Sequence, residues 1–340
     1  MARGEGQRLH PFTLFQSKPS LPFAGGNRIV DFTLYNTTQL SNSTVYILAP
    51  HHAPILHDHW NQHWSHTSHF IRSTHNQIQG NAASVYDFLQ TIPNSEHVII
   101  TACDHIYQMS YAAFWKFHID ANVDVTIATT YRSLDEASHF GVLNHQDGLI
   151  TAFVEKPEMN HPWMQHKRKL AVNMGIYIFK RNTLIQLLDE DRHNTVSQND
   201  FGRNIIPLAI SKSLHVQPYI ISPEQYWEDV GTVDKYWNAQ WEYQQQPQIP
   251  KTLLNTSTPN EIRTYPSTRA ETSVIEKCIV HPNVQIGARC TLTNLLVGSN
   301  TVIEEGLTIS APKSQSFFII PPNTSVTQEW VHSRLVSDHT

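Results

Sequence analysis

Residues 98–129, VIITACDHIYQMSYAAFWKFHIDANVDVTIAT, set the fold class. Val98–Ala102 is a short β-rich run that reads as a buried strand, Tyr111–Ile119 reads as a helix, and Val125–Thr129 reads as a second strand. Outward from this unit the same alternation continues. Val45–Leu48, Ile150–Val154 and Val172–Phe179 read as further strands, and Ala82–Leu89 as another helix. Strands alternating with helices predict an α/β fold, a doubly wound and mostly parallel sheet covered on both faces. In such sheets ligands bind beyond the carboxyl ends of the strands, so the residue after each strand carries most information.

Bulk properties narrow the function classes. The chain has 340 residues, 40% of them apolar, enough for one large domain and a smaller one. No apolar run reaches the length of a membrane span, and the first residues lack the layout of a secretory signal. The formal charge is −5 and lysines and arginines are not clustered, which argues against a nucleic-acid groove. An anionic ligand must then be held by a few placed cations. Three cysteines, Cys103, Cys278 and Cys290, have no metal-type spacing and point to a reduced, cytoplasmic setting.

The character of the chain changes after residue 245. Residues 244–260, QQQPQIPKTLLNTSTPN, read as a linker. Beyond it, Val274, Val280, Ile286 and Leu292 recur every six residues, as do Cys278, Val284, Cys290, Leu296 and Val302. Two registered columns predict a short left-handed hexapeptide β-helix from Val274 to about Ile309, with the cysteines as small core residues.

Several residues have chemistry of their own. Gly4, Gly6 and Arg8 form a G-x-G-x-R loop, with Lys18-Pro19 following, which suits a phosphate-cradling turn flanked by two cations. A buried strand is expected to feed such a loop, and almost nothing precedes it here. Asp104 follows the apolar run 98–103, and Trp227-Glu228-Asp229-Val230-Gly231 offers a second carboxylate beside a glycine turn. Two carboxylates suit Mg²⁺, which takes hard oxygen ligands, although a strand-end Asp also serves as a helix N-cap. Glu155-Lys156-Pro157 closes another strand and can bind sugar hydroxyls and a phosphate at once, or be a surface ion pair. Asn173-Met174-Gly175 places a glycine inside a strand, where it marks a close-approaching ligand or a bulge. The histidines His51, His52, His57, His59, His63, His66 and His69 are expected to line a solvated helix face, with Trp60 and Trp64 on its apolar side.

Taken together, GEGQRL, ACDHIY (102–107), HFGV (139–142), FVEKP (153–157), NMGIYIF (173–179), NDFGRNIIP (199–207) and YWEDVGT (226–232) occur in one order. In that series the chain resembles the bacterial glucose-1-phosphate adenylyltransferases over residues 2–310. The resemblance implies Mg²⁺-dependent transfer of AMP from ATP to α-D-glucose 1-phosphate, giving ADP-glucose and pyrophosphate for glycogen synthesis. By that resemblance Arg8 holds the ATP phosphates, Lys18 the transferring or leaving phosphate, and Asp104 and Asp229 the metal. Gly4, Gly6 and Gly80 lie on the nucleotide side, and Gly141, Glu155, Lys156, Asn173 and Asp200 on the sugar-phosphate side. It also implies a nucleotidyltransferase domain over 1–245 without its first strand, a linker over 246–272, the β-helix over 273–310 and a tail over 311–340. The partners are ATP and glucose 1-phosphate, with no nucleic acid and no membrane, and the assembly is a homotetramer or a hetero-oligomer with an active paralogue.

The chain departs from the pattern at Arg3 and Glu5 in the loop, at Pro50, and at Ile78, Gln79 and Ala83; Asn173 replaces a commoner serine. These changes leave two further readings open: a weak or silent regulatory subunit, and a transferase using another nucleoside triphosphate. A purely structural β-helix component is disfavoured, because it gives no reason to keep Asp104, Lys156 and Asp229.

Overall fold

The structure is a computed structural model that describes residues 6–41, 43–49, 53–72, 80, 82–164, 168–245, 261–263 and 267–335. Gly4, Arg3, Glu5, Pro50, His51, His52, Ile78 and Gln79 lie outside the described residues. Two compact units are present, each built from separate stretches of chain. One comprises Thr33–Cys103 and Gln108–Tyr226; the other comprises Gly4–Phe32, Asp104–Tyr107 and Trp227–Thr340, where described. No described helix is long and apolar enough to cross a membrane.

In the first unit the expected strands are present as Val45–Ala49, His97–Thr101, Val125–Ser133, Leu149–Glu155 and Lys169–Lys180. Lys169–Lys180 is buried almost throughout, as a strand covered on both faces must be. It pairs antiparallel with His97–Thr101, Val125–Ser133 and Gly141–Gln146. Parallel pairing occurs between Val216–Ile220 and Val125–Ser133, and between Val45–Ala49 and Ser68–Arg72. The α/β class is as read from the sequence, and the large sheet is mixed in strand direction. Hydrophobic runs mark a strand as buried; they do not encode the direction of its neighbour.

Local signals place the helices. Ser110 caps Tyr111–Ala121 by accepting from the Ala113 N–H at 3.1 Å, and Asn122 ends it in the left-handed region at φ 49°. Ala82–Leu89 and Arg181–Arg192 cover the sheet, burying Val85, Leu89, Leu184, Leu187 and Leu188 against Ile100, Val125 and Phe179. On Pro54–His63, His59 is buried rather than solvated, with its ring 4.7 Å from that of His63. The expected solvated face fails at this residue, which lies one turn from the buried Leu56 on the same helix face.

In the second unit parallel ladders form a three-faced coil. One face stacks Glu261–Arg263, Cys278–Val280, Leu295–Val297 and Phe318–Ile320. The second stacks Thr268–Arg269, Gln285–Ile286, Val302–Ile303 and Ser325–Val326, and the third Val274–Glu276, Thr291–Thr293 and Thr308–Ser310. The ladders therefore run past both ends of the stretch expected from Val274 to Ile309. Ile279 pairs with Leu296 and Gln285 with Val302, so a coil takes 17 residues, where three faces of six would need about 18. One face of each such coil is one residue short, whereas the last turn, from Leu296 to Ile319 and from Val302 to Ser325, takes 23 residues. The six-residue columns hold through Val280, Ile286 and Leu292 and through Cys278, Val284 and Cys290, all buried, and then slip.

Val274 and Val302 are consequently exposed, at 60% and 43%, while Ile275 and Ile303 point inward. Left-handed backbone recurs at the corners Lys277 and Asn294, and Asn283, Asn300 and Asn323. The last three also join side chains, Asn283 donating to Asn300 at 3.0 Å and Asn300 to Asn323 at 2.9 Å. Urea unfolding tests this register. Ile303→Ala should cost about 2–5 kcal/mol, whereas Val302→Ser should change stability by less than about 0.5 kcal/mol.

The first segment of this unit is bound to the coil through helix Val233–Gln245. The Tyr236 hydroxyl donates to the Pro22 carbonyl and lies 2.9 Å from His281 Nε2. Gln240 Oε1 accepts from the Ala24 N–H at 2.7 Å, and Phe12 packs on both Tyr236 and His281. Trp237 stacks on Phe317 with ring centroids 4.5 Å apart.

Candidate functional site

The residues singled out by the sequence fall into two clusters, one in each unit. In the second unit, Gly6 at φ 56° opens the turn Gln7–Leu9 that carries Arg8, and Thr13 Oγ1 donates to the Gly6 carbonyl at 2.7 Å. A Cβ there would sit 3.0 Å from the Thr13 methyl, so the left-handed turn and the close packing both call for glycine. Lys18 begins the buried turn Lys18–Ser20. Asp104 and Asp229 are brought together by a two-stranded ladder in which Trp227 pairs with Tyr107 and Glu228 with Ile106. Asp104 thus serves the cluster and is not a helix cap.

Lys18 Nζ lies 2.5 Å from Asp229 Oδ1 and 3.2 Å from Asp104 Oδ2. Burial by itself would lower the Lys18 pKa, but the two carboxylates override it and hold the ammonium charged. Burial would likewise raise both aspartates. Attraction to Lys18 and His105 wins, bringing Asp104 below its ordinary value and Asp229 down to about 2. A Cβ on Gly231 would lie 3.1 Å from Arg8 Nη2 and 3.2 Å from Asp229 Oδ2, so the absent side chain lets the guanidinium approach this end of the cluster. Arg8, Lys18, Asp104 and Asp229 therefore gather around one point from three distant stretches of chain. Sequence reasoning missed His105. Its Nε2 lies 3.6 Å from Asp104 Oδ1 and 3.9 Å from Asp229 Oδ1. The signal was present in DHIY, where only the carboxylate was read.

The donor set fits a divalent cation. Ligand atoms of Asp104, His105 and Asp229 all lie within 4.8 Å of one another, the only such group among the described residues. Both carboxylates already converge on a cation, the Lys18 ammonium, as hard oxygen donors converge on a metal.

The first unit gathers the residues expected on the sugar side. Glu155 ends the strand Leu149–Glu155 and faces two glycines: a Cβ on Gly141 would lie 2.7 Å from Glu155 Oε2, and one on Gly202 2.5 Å. Gly141 and Gly202 therefore make the slot that the carboxylate fills. Burial raises the Glu155 pKa, with Lys156 opposing and Asp200 adding to the shift. Lys156 holds a left-handed backbone, φ 49°, and its half-exposed ammonium is 3.7 Å from Glu155 Oε1. Asn173 donates from Nδ2 to the Tyr177 hydroxyl at 2.7 Å and accepts the Gly175 N–H at 2.8 Å.

Gly175, at φ 71°, lies where the pairing with Val125–Ser133 slips between Asn173 and Tyr177, so this glycine marks a bulge. Asp200 accepts from the Arg203 N–H at 2.9 Å and caps the turn Phe201–Ile205. Gly80, at φ 87°, packs on backbone; a Cβ would lie 2.1 Å from the Gln198 carbonyl oxygen. Gly202 and Tyr177 were not singled out from the sequence, although both sit inside motifs that were.

Comparison with known proteins gives the family. Residues 1–246 match the model of the family described as nucleotidyl transferase. The glucose-1-phosphate adenylyltransferase of Desulforamulus reducens is 31% identical over 90% of this chain and 84% of its own. That of Clostridium novyi is 32% identical over 89% and 82%, and that of Paramagnetospirillum magneticum 29% over 91% and 87%. With the family model spanning most of the chain and relatives of this likeness along nearly its whole length, the chain is a divergent member of the glucose-1-phosphate adenylyltransferase family of nucleotidyl transferases.

Proposed function

We propose that the protein transfers AMP from ATP to α-D-glucose 1-phosphate, releasing pyrophosphate and forming ADP-glucose for glycogen synthesis, with Mg²⁺ at Asp104 and Asp229. The observation that carries this reading is the convergence of Lys18 on both carboxylates. In the reaction a phosphate oxygen of the sugar phosphate bonds to the α-phosphorus of ATP, and the bond from that phosphorus to the bridging oxygen breaks. The metal, when bound, spreads charge over phosphate oxygens.

Arg8 and Lys18 neutralise the phosphates, and the Gly6 turn supports the Arg8 segment. Glu155 accepts from glucose hydroxyls, Lys156 pairs with the sugar phosphate, and Gly141 and Asn173 shape the sugar side. Asp200 supports that side as a cap. The nucleotide-side roles of Gly4 and Gly80 belong to the same proposal. So do the division into a transferase domain (1–245), a linker, a β-helix and a tail, a cytoplasmic setting, and work as a homo-oligomer. Positioning and charge neutralisation carry such a step without a covalent intermediate.

Pyrophosphate release from ATP, UTP, GTP and dTTP, each with glucose 1-phosphate and Mg²⁺, tests the proposal. ATP is expected to give the fastest turnover; faster turnover with another triphosphate, or none with any, overturns it. Gly202→Ala supplies a second check. Its methyl must displace the Glu155 carboxylate, so KM for glucose 1-phosphate should rise about tenfold, equivalent to about 1.4 kcal/mol. The kcat should change little, since the lost contact is one of ground-state binding.

A further inference from the structure

We propose that the Lys18 ammonium and a divalent cation are alternatives at Asp104 and Asp229, and that a triphosphate decides between them by drawing Lys18 onto its own oxygens. The inference rests on the proposed carboxylate site and adds to it an exchange of cations that couples metal to nucleotide.

The proposed function gives the two aspartates to an ion and Lys18 to a phosphate. Both cannot hold while Lys18 stays in place. Its Nζ is 2.5 Å from Asp229 Oδ1 and 3.2 Å from Asp104 Oδ2. Mg²⁺ takes oxygen ligands at about 2.0–2.1 Å, so sharing those two oxygens would press two cations together. The other carboxylate oxygens have neighbours of their own. Asp229 Oδ2 and Arg8 Nη2 both border the place a Cβ on Gly231 would take, at 3.2 and 3.1 Å, and Asp104 Oδ1 is 3.6 Å from His105 Nε2.

The group able to leave is the lysine. Both aspartates are fixed by the Trp227–Tyr107 and Glu228–Ile106 pairing, and the Gly231 N–H donates to the Asp229 carbonyl at 2.7 Å. The Lys18 backbone is held too, its carbonyl accepting from the Leu21 N–H at 3.1 Å, but its ammonium rides on a flexible four-carbon stem. The side chain is only 8% exposed, and a buried ammonium without a counter-charge is unfavourable. An ion binding alone leaves Lys18 in that condition. An ion binding with a triphosphate does not, because phosphate oxygens become the new partner of Lys18. Ion and triphosphate therefore strengthen each other's binding, by equal factors.

Metal binding to the full-length protein without nucleotide tests this, with free Mn²⁺ read by electron paramagnetic resonance. Lys18→Met keeps the length of the side chain and removes its charge. It should bind Mn²⁺ about tenfold more tightly than wild type, within the usual range of coupling between ligands. Adding Asp229→Asn to Lys18→Met should abolish that gain. A folded Lys18→Met that binds Mn²⁺ no more tightly than wild type overturns the exchange, and leaves the carboxylate site standing if Asp229→Asn alone weakens binding. A gain that survives Asp229→Asn overturns the carboxylate site, and the exchange with it. The wild type supplies a second readout: the rate at which an amine reagent modifies Lys18, followed by peptide mass spectrometry. Mg²⁺ should raise that rate at least about fivefold over NaCl of equal ionic strength, and inorganic tripolyphosphate added with the Mg²⁺ should bring it down again. A rate that Mg²⁺ leaves unchanged overturns the exchange even if Lys18→Met does not fold. A raised rate that tripolyphosphate does not lower overturns the transfer of Lys18 to phosphate.

Discussion

Asp229→Asn should slow pyrophosphate release from ATP and glucose 1-phosphate by about a thousandfold, at the upper end of losses seen when a preorganised charge is removed from a site. Asp229 makes the shorter of the two contacts to Lys18 and is held ionised, down to about 2, by attraction that overcomes burial. The amide keeps the shape and removes the charge. A divalent cation then faces one carboxylate instead of two, and the Lys18 ammonium loses its nearer counter-ion. The fold should survive, because Asp104 still pairs with Lys18 at 3.2 Å and the Trp227–Tyr107 ladder does not depend on the carboxylate. Pre-steady-state pyrophosphate release, with thermal unfolding in parallel, separates the two effects. A variant that keeps more than a tenth of wild-type activity sinks the assigned role.

The second large effect is on stability in mild acid. His118 is buried with Nδ1 2.7 Å from Thr126 Oγ1, and burial first, then His97 and Lys180, lowers its pKa to about 4. His281 is buried with Nε2 2.9 Å from the Tyr236 hydroxyl; burial, then Arg28, lowers its pKa to about 3. Both folded values lie below the unfolded 6.5, so the native state binds fewer protons than the unfolded chain. Their contribution is complete above pH 6.5 and is lost as the pH falls through the folded values.

Between pH 6.5 and 5 each histidine should cost its own unit about 2 kcal/mol. Glu155 has the opposite sign, since its raised pKa favours the protonated, folded form, but it acts near the carboxylate range. Asp104 and Asp229, both lowered, act only below their ordinary 3.8. Urea midpoints from pH 7.5 to 5 should therefore fall steadily, and His118→Asn and His281→Asn should each flatten part of the slope. Midpoints independent of pH over this range would contradict the assignment.

Strand and helix positions were legible where a feature is local. Tyr111–Ile119 was visible because Ser110 and Asn122 bracket an apolar run, and Lys169–Lys180 because its core is continuously apolar. The direction of strand pairing was not, because neighbours are chosen by the whole sheet. The β-helix was legible in its columns and illegible at its short face. Val274 and Ile275 are adjacent aliphatics, and only pairing with Thr291 and Leu292 decides which points inward.

At the candidate site, two carboxylates after strands were readable as a pair. Their distance from Lys18 was not, since 211 residues separate Lys18 from Asp229. His105 was hidden by its neighbour, as a carboxylate offers an obvious role and an imidazole beside it does not. Asp200 shows the opposite limit: its side chain is occupied by the Arg203 N–H, a local bond that competes with any ligand.

The gap of 211 residues between Lys18 and Asp229 also has a meaning during synthesis. At about 5–20 residues per second, a ribosome takes about 10–40 s to extend the chain by that length. Through that interval Lys18, Pro22 and Phe12 have been made, but Asp229, Tyr236 and His281, their partners, have not. The Thr33–Tyr226 sheet can assemble while the chain is still growing. The leading segment must wait, with Leu9, Phe12, Leu21 and Phe23 unburied, until the coil leaves the exit tunnel. A chaperone that shields apolar segments of a growing chain would find a target there, and the charge cluster would be among the last features of the molecule to form.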